Sequence, residues 1–209
     1  MSVHAASHYG SAAGELAACV TAVGIADCSD LSKLVLDGPC ADLRRLAAEL
    51  ADVAPAPGGA VLSERSWWCA PSSRRLIVLS PPTVGGWLHA RLIDRLSAGT
   101  AISVADRSAD WAAFAVLGHR APHILATLGV YGESGDPRSA APVAVRSVAG
   151  ADTLWLLESD RKAVALTRRA CAARIWQTIE RAGRPFAICA VGNEAVARYA
   201  LVCRSGDAV

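Results

Sequence analysis

The sequence predicts an α+β fold built from two pseudo-symmetric strand–helix lobes, and three observations carry that prediction. The first is an internal echo. IADCSDLSKLVLDGPCADLRRL, starting at Ile25, is matched by VADRSADWAAFAVLGHRAPHIL, starting at Val104. Asp27 aligns with Asp106, Ser29 with Ser108, Gly38 with Gly118 and Ala41 with Ala121, and the second copy holds one extra residue between its Asp and its Gly. Two copies are too few for a solenoid, so a pair of related lobes, about 20–100 and 101–201, is expected. The second observation is that short apolar runs alternate with stretches of helical periodicity, the mixture of hairpins and crossover helices found in α+β folds. The third is that no long linker interrupts the 209 residues, so positions 1–209 are expected to form one domain.

Each lobe is read element by element. Leu34–Leu36 and Phe114–Leu117 are apolar runs stopped by a Gly-containing turn, and both are expected as strands. Apolar residues then recur at helical spacing: Leu43, Leu46, Ala47 and Leu50 in the first copy, Ala121, Ile124, Leu125 and Leu128 in the second. The Asp-x-Ser triplets before them have the form of turns whose short polar side chains bind nearby backbone N–H groups. Arg75–Ser80 is a strand ending at a double proline. Thr83–Ala98 is an amphipathic helix with Trp87, Leu88, Leu92 and Leu96 on one side. Thr153–Leu157 and Ala163–Leu166 flank a charged tip and predict a hairpin. Arg168–Ala182 is expected as a helix ended by Gly183, Phe186–Val191 as a strand, and Gly192–Leu201 as a last helix. Ala54–Gly59 and Gly129–Pro142 are loops, the second positioned to act as a mobile flap.

Composition narrows the function classes. Hydrophobic residues make up 53% and charged residues 19%, which excludes a disordered chain. A formal charge of +2 from interleaved acids and bases excludes a dedicated nucleic-acid binder, which needs a basic face. No uncharged stretch reaches the roughly 18 residues of a membrane span. The N-terminus lacks a basic start followed by an apolar core, so a cytoplasmic location is expected, with the seven cysteines as thiols. No two of them are spaced C-x-x-C, and small core hydrophobes are the better reading than a zinc site. His119 and His123 stand four apart but lack the following Glu of a metalloprotease, so no metal is expected. Arg168, Arg169 and Arg174 can serve an acidic ligand or simply a solvated helix face.

SHYGSAAGELAACVTAVGIADCSDLSKLVLDGPCADL resembles the opening of the glycine cleavage T-protein superfamily, through Tyr9, Gly10, Glu15, Gly24, Asp27, Ser29, Gly38 and Ala41. WQTIERAGRPFAICAVGNEAVARYAL is similar to that family's later helices, with Trp176, Gly192, Ala195 and Arg198 as matches. WWCAPSSRRLIVLSPP also looks like part of the small subunit of heterotetrameric sarcosine oxidase. The resemblance implies a T-protein folate-binding fold: two lobes around a central cavity that holds tetrahydrofolate or a similar planar ligand, in one-carbon or amine metabolism. It also implies that the C-terminal barrel of full T-proteins has no room here. Trp176 and Arg198 are ligand-binding positions among its matches, and Asp106 of the echo and the tryptophans Trp67 and Trp87, able to line a flat aromatic ligand, complete the candidate binding set. The family follows a Gly-Gly hairpin with adjacent aspartates, whereas Gly58-Gly59 here leads to Leu62 and Ser63, with Glu64 one position on. Ser63 and Glu64 are therefore the catalytic candidates, and ordinary aminomethyl transfer is not expected of them, because a hydroxyl cannot balance a forming iminium charge. Two readings remain: a small ligand-binding protein or enzyme that uses the cavity, and a non-catalytic small subunit of a heteromeric flavin-dependent amine oxidase. An open cavity exposes apolar surface, so self-association or a larger flavoprotein partner is expected.

Overall fold

The computed structural model describes residues 6–96, 101–132 and 141–206. The first lobe holds α1 (Ala12–Thr21), β1 (Val23–Asp27), β2 (Ser32–Asp37), α2 (Cys40–Ala51), β3 (Ala60–Ser63), β4 (Ser66–Ser72), β5 (Arg75–Ser80) and α3 (Pro82–Arg95). The second holds β6 (Ser103–Asp106), β7 (Trp111–Leu117), α4 (Ala121–Thr127), β8 (Val143–Val148), β9 (Ala151–Ser159), β10 (Lys162–Arg168), α5 (Ala172–Gly183), β11 (Ile188–Ala190) and α6 (Asn193–Gly206). Short 3-10 turns at Arg169–Cys171 and Arg184–Phe186 flank α5. The strands form a six-stranded sheet, β11-β1-β7-β10-β9-β8, and a five-stranded sheet, β3-β4-β5-β2-β6.

Period-two alternation places each strand residue on one of two faces. In β7, Ala113, Ala115 and Leu117 belong to the core between the sheets, while Ala112, Phe114 and Val116 face α4 and α5. In β5, Ile77 and Leu79 point to that same inner core, and Leu76 and Val78 to α2 and α3. Two buried sheets, each with helices on its outer face, explain why these strands read as unbroken apolar runs.

The echo is a structural two-fold. Each copy runs strand, Asp-x-Ser turn, strand, glycine, helix, and each turn carries the chain from one sheet into the other. Asp27 pairs with Phe114, and its counterpart Asp106 pairs with Leu34. Leu34 and Phe114 each stand four residues before the echo's glycine, so the register itself obeys the symmetry. The joints match as well. Asp27 Oδ1 accepts from Ser29 N at 2.9 Å and Asp106 Oδ1 from Ser108 N at 2.8 Å. Ser29 Oγ accepts from Ala113 N at 3.1 Å, and Ser108 Oγ accepts from Lys33 N at 2.9 Å. Gly118, at φ +131, tolerates no Cβ, because one would lie 2.6 Å from Cys19 O.

Several elements differ from expectation. Arg168 ends β10 instead of opening a helix, because its backbone is still paired with Trp111. Trp87 faces solvent on α3, 53% exposed, while Leu88 and Leu92 point inward. His119 lies in the turn before α4, its N–H bonded to Cys19 O. Residues 133–140 of the expected flap, and 97–98 of the expected helix end, lie outside the described residues. Cys19, Cys28 and Cys69 are buried free thiols. No described helix is long and apolar enough to cross a membrane.

Lys33 breaks the symmetry, because its counterpart is Ala113. It is fully buried, and its Nζ donates to Ser29 O at 2.9 Å and Leu31 O at 2.7 Å, closing the first joint. Burial, and then the positive charge of Arg169, hold its pKa down at about 8.

Two outcomes are expected. Ser29→Ala and Ser108→Ala each leave a strand N–H of the opposite copy without its acceptor. Urea unfolding should show each losing about 1–3 kcal/mol. Between pH 8 and 10.5 the unfolded chain holds a proton on Lys33 that the folded chain has released, so stability should rise as pH increases from 7 to 9. Above pH 9 the buried thiols of Cys19 and Cys28, pushed up to about 12 by burial, act in the opposite direction. A Lys33→Met variant should lack the rise, which a pH series of thermal melts reads directly.

Candidate functional site

A cleft of 910 Å³ opens between the two sheets at the end where β10 and β7 meet β5 and β2. Its floor is apolar, formed by Val35 and Ile77 from one sheet and Leu154 and Leu166 from the other. Its rim is charged. Asp37, at the end of β2, holds Arg75 across the strand pair, with Nε–Oδ1 at 2.7 Å and a second bond at 3.0 Å. Arg107 holds Asp110 at 3.0 Å within the second joint. Arg169 Nε donates to Ala109 O at 2.8 Å. Trp111 and Arg168 are direct cross-strand partners on the inner face, so an indole and a guanidinium flank one another at the mouth.

Charge bookkeeping gives the site its character. Asp37 and Asp110 are each held by an arginine, Asp152 stands exposed on the rim without an ion-pair partner, and Arg168 and Arg169 have no carboxylate partner among the described residues, so the four arginines of the lining outnumber its three carboxylates by one. Among the described residues no thiol or imidazole lines the cleft, and no group of three or more His, Cys, Asp or Glu side chains could hold a metal. The arrangement suits binding of an anionic group above an apolar floor, where guanidinium donors are strongest when partly shielded from water.

The residues suggested by sequence sit elsewhere. Ser63 ends β3, and its Oγ donates to Ala51 O at 2.8 Å, at the C-terminal end of α2. Glu64 is exposed at the β3–β4 hairpin tip, with φ at +47°. Trp67 packs on the core between the sheets. Trp87 lies on the outer surface with the Arg91 guanidinium 4.7 Å from its ring centre. Asp106 caps the second joint, its carboxyl held below the usual range chiefly by the Ser108 hydroxyl. Trp176 is on α5, its ring edge-on to Phe114 at 5.3 Å. Arg198 pairs with Glu194 on α6. None of the seven lines the cleft; of the three arginines named beside the acidic-ligand reading, Arg168 and Arg169 line it and Arg174 on α5, bonded to Cys171 Sγ, does not. Asp37, Arg75, Arg107 and Trp111 carried no signal of their own, because strand register alone brings them together.

No family model matches the chain, and no curated protein matches it in sequence. Solved structures do match in shape. The glycine cleavage system aminomethyltransferase T of Bartonella henselae superposes with a TM-score of 0.69 at 15% identity, over 88% of this chain and 52% of its own. The fold is that of aminomethyltransferase T. A chain of the heterotetrameric sarcosine oxidase of Corynebacterium sp. U-96, solved with pyrrole 2-carboxylate, gives 0.64 at 17% identity, over 85% of this chain and 93% of its own. This chain therefore spans about half of the aminomethyltransferase T-fold relative and nearly all of the oxidase chain. At these identities the likeness is one of fold.

The placement of Ser63 yields a prediction. Ser63→Asp removes the donor to Ala51 O and sets a negative charge at a helix C-terminus, so it should cost about 1–2 kcal/mol in thermal denaturation. It should not confer aminomethyl transfer to tetrahydrofolate, because the side chain is not in the cleft. A turnover assay alongside the melt checks both halves.

Proposed function

We propose that this chain is a non-catalytic small subunit of a heteromeric flavin-dependent amine oxidase of the sarcosine oxidase type. The observation that carries the reading is the end-to-end match to one chain of such an oxidase, against the half-length match to the aminomethyltransferase. The cleft chemistry agrees with it. The cleft offers guanidinium donors and an apolar floor, two of its three carboxylates, Asp37 and Asp110, are held by arginines, and neither Ser63 nor Glu64 faces it.

A second reading is favoured by one feature, Trp111 facing Arg168 at the mouth. An aromatic face beside a guanidinium fits a planar acidic ligand such as tetrahydrofolate, with Arg169 available to its carboxylates. In that reading the chain binds such a ligand in one-carbon or amine metabolism without transferring a group. The residues named from the sequence, Trp67, Trp87, Trp176 and Arg198, are engaged on separate elements, β4, α3, α5 and α6.

The subunit reading is tested by purifying a tagged chain from its own host and following flavin absorbance through size exclusion. Larger polypeptides bearing flavin should elute with it at a constant ratio. Elution as a lone monomer, with amine oxidation unchanged in a host lacking the chain, would overturn it.

A further inference from the structure

The pseudo-two-fold relates the open cleft to the opposite end of the sandwich, and the two ends are not alike. Val35, Ala105 and Arg107 line the cleft. Their symmetry counterparts are Ala115, Ala26 and Cys28, and all three belong to the core between the sheets. That end is closed by the chain's own terminal elements. Cys19 from α1, and Ala195 and Tyr199 from α6, lie in the same apolar cluster. Cys28 Sγ lies 4.0 Å from Asn193 Oδ1 at the start of α6. Glu15 ties the closure together, accepting from Gly192 N at 2.8 Å and Tyr9 N at 2.6 Å. One opening in this fold is thus filled by a helix pair that puts apolar side chains on the floor and a polar group at the rim.

At the cleft no described element does the same. Val145 on β8 is 49% exposed at its edge and Trp111 is half-buried at the mouth, while Ile77, Leu154 and Leu166 beneath them are only 1%, 7% and 2% exposed. Val145 and Trp111 offer apolar contact at the mouth, and the rim, where the unpaired Arg168 and Arg169 outnumber the one unpaired carboxylate, Asp152, calls for acids. We propose that the cleft is a docking groove for an amphipathic segment of the larger flavoprotein subunit, with apolar residues against Val145 and Trp111 at the mouth and Asp or Glu against Arg168 and Arg169. This rests on the subunit reading above. It assigns the cleft a polypeptide where that reading left it without an occupant.

The test places the photo-crosslinking residue p-benzoylphenylalanine at Val145 in the groove or at Val61 on β3, outside it, in tagged chains made in the native host. Illumination of the purified complex should join the flavin-bearing polypeptide to position 145 and not to 61, with the joined peptide, identified by mass, carrying Asp or Glu near the link. Arg168→Glu should cut the flavin recovered per chain tenfold or more without lowering the melting temperature. Arg168→Gln provides the same readout, with a smaller loss, if the reversed charge disturbs folding. A complex that forms but crosslinks at 61 and not at 145 overturns the groove and leaves the subunit reading standing. Absence of flavin with the unsubstituted chain defeats the subunit reading, and the groove with it. Stoichiometric binding of tetrahydrofolate that Arg168→Glu abolishes, with flavin recovery unchanged, makes the cleft a small-molecule site and overturns the proposal.

Discussion

At each Asp-x-Ser joint a serine hydroxyl accepts the backbone N–H of a strand that belongs to the other half of the chain: Ser29 from Ala113, Ser108 from Lys33. The neighbouring amides, Cys28 N and Arg107 N, donate to Ala113 O and Lys33 O in the same way. A chain leaving one sheet for another must abandon the ladder for a few residues, and buried backbone groups left unpaired there are costly. The two joints resolve this reciprocally. Each half supplies the acceptors and donors that the other half lacks, so neither half is complete alone. Strand order, inner-face alternation and the gap between the sheets all follow from where the crossings fall.

That symmetry then breaks in ways that matter. Lys33 stands where the second copy has Ala113, and its ammonium group tightens one joint by binding two carbonyls of its own turn. At the end of the sandwich near α1 and α6, the core is completed by Cys19, Ala195 and Tyr199. At the other, the inner face runs out into Trp111, Arg168 and the paired Arg75 and Arg107. A fold generated by duplication has two equivalent openings in principle. Here the terminal helices occupy one, and the charged rim marks the other.

The fold was largely legible before any coordinates. The echo located both joints and both glycines, and the strands β2, β5, β7, β9 and β10 announced themselves as short apolar runs because they are buried on both faces. The edge strands β3, β6 and β8 were harder, since half-buried residues such as Val61 and Val145 mix exposure with apolar character, while β11 fell inside the apolar run expected over Phe186–Val191. The site was less legible than the fold. Trp67, Trp87 and Trp176 attract notice as tryptophans, yet an indole's type says nothing about which face it joins: one packs on the inner core, one lies on the exposed side of α3 and one packs under α5.

By itself the sequence determined the local events: where strands stop at glycine, where short polar side chains take over backbone N–H groups, and that two halves of the chain repeat one plan. These depend on residues close together in the chain, whose preferences act before any long-range contact forms. Only the tertiary structure decided which charges face one another and which face of each strand meets solvent. Asp37 and Arg75 meet because β2 and β5 pair in one register, and Trp111 meets Arg168 because β7 and β10 do. A one-residue slip in either pairing turns those side chains to the opposite face, so the cleft and its arginines exist only once register and sheet stacking are set.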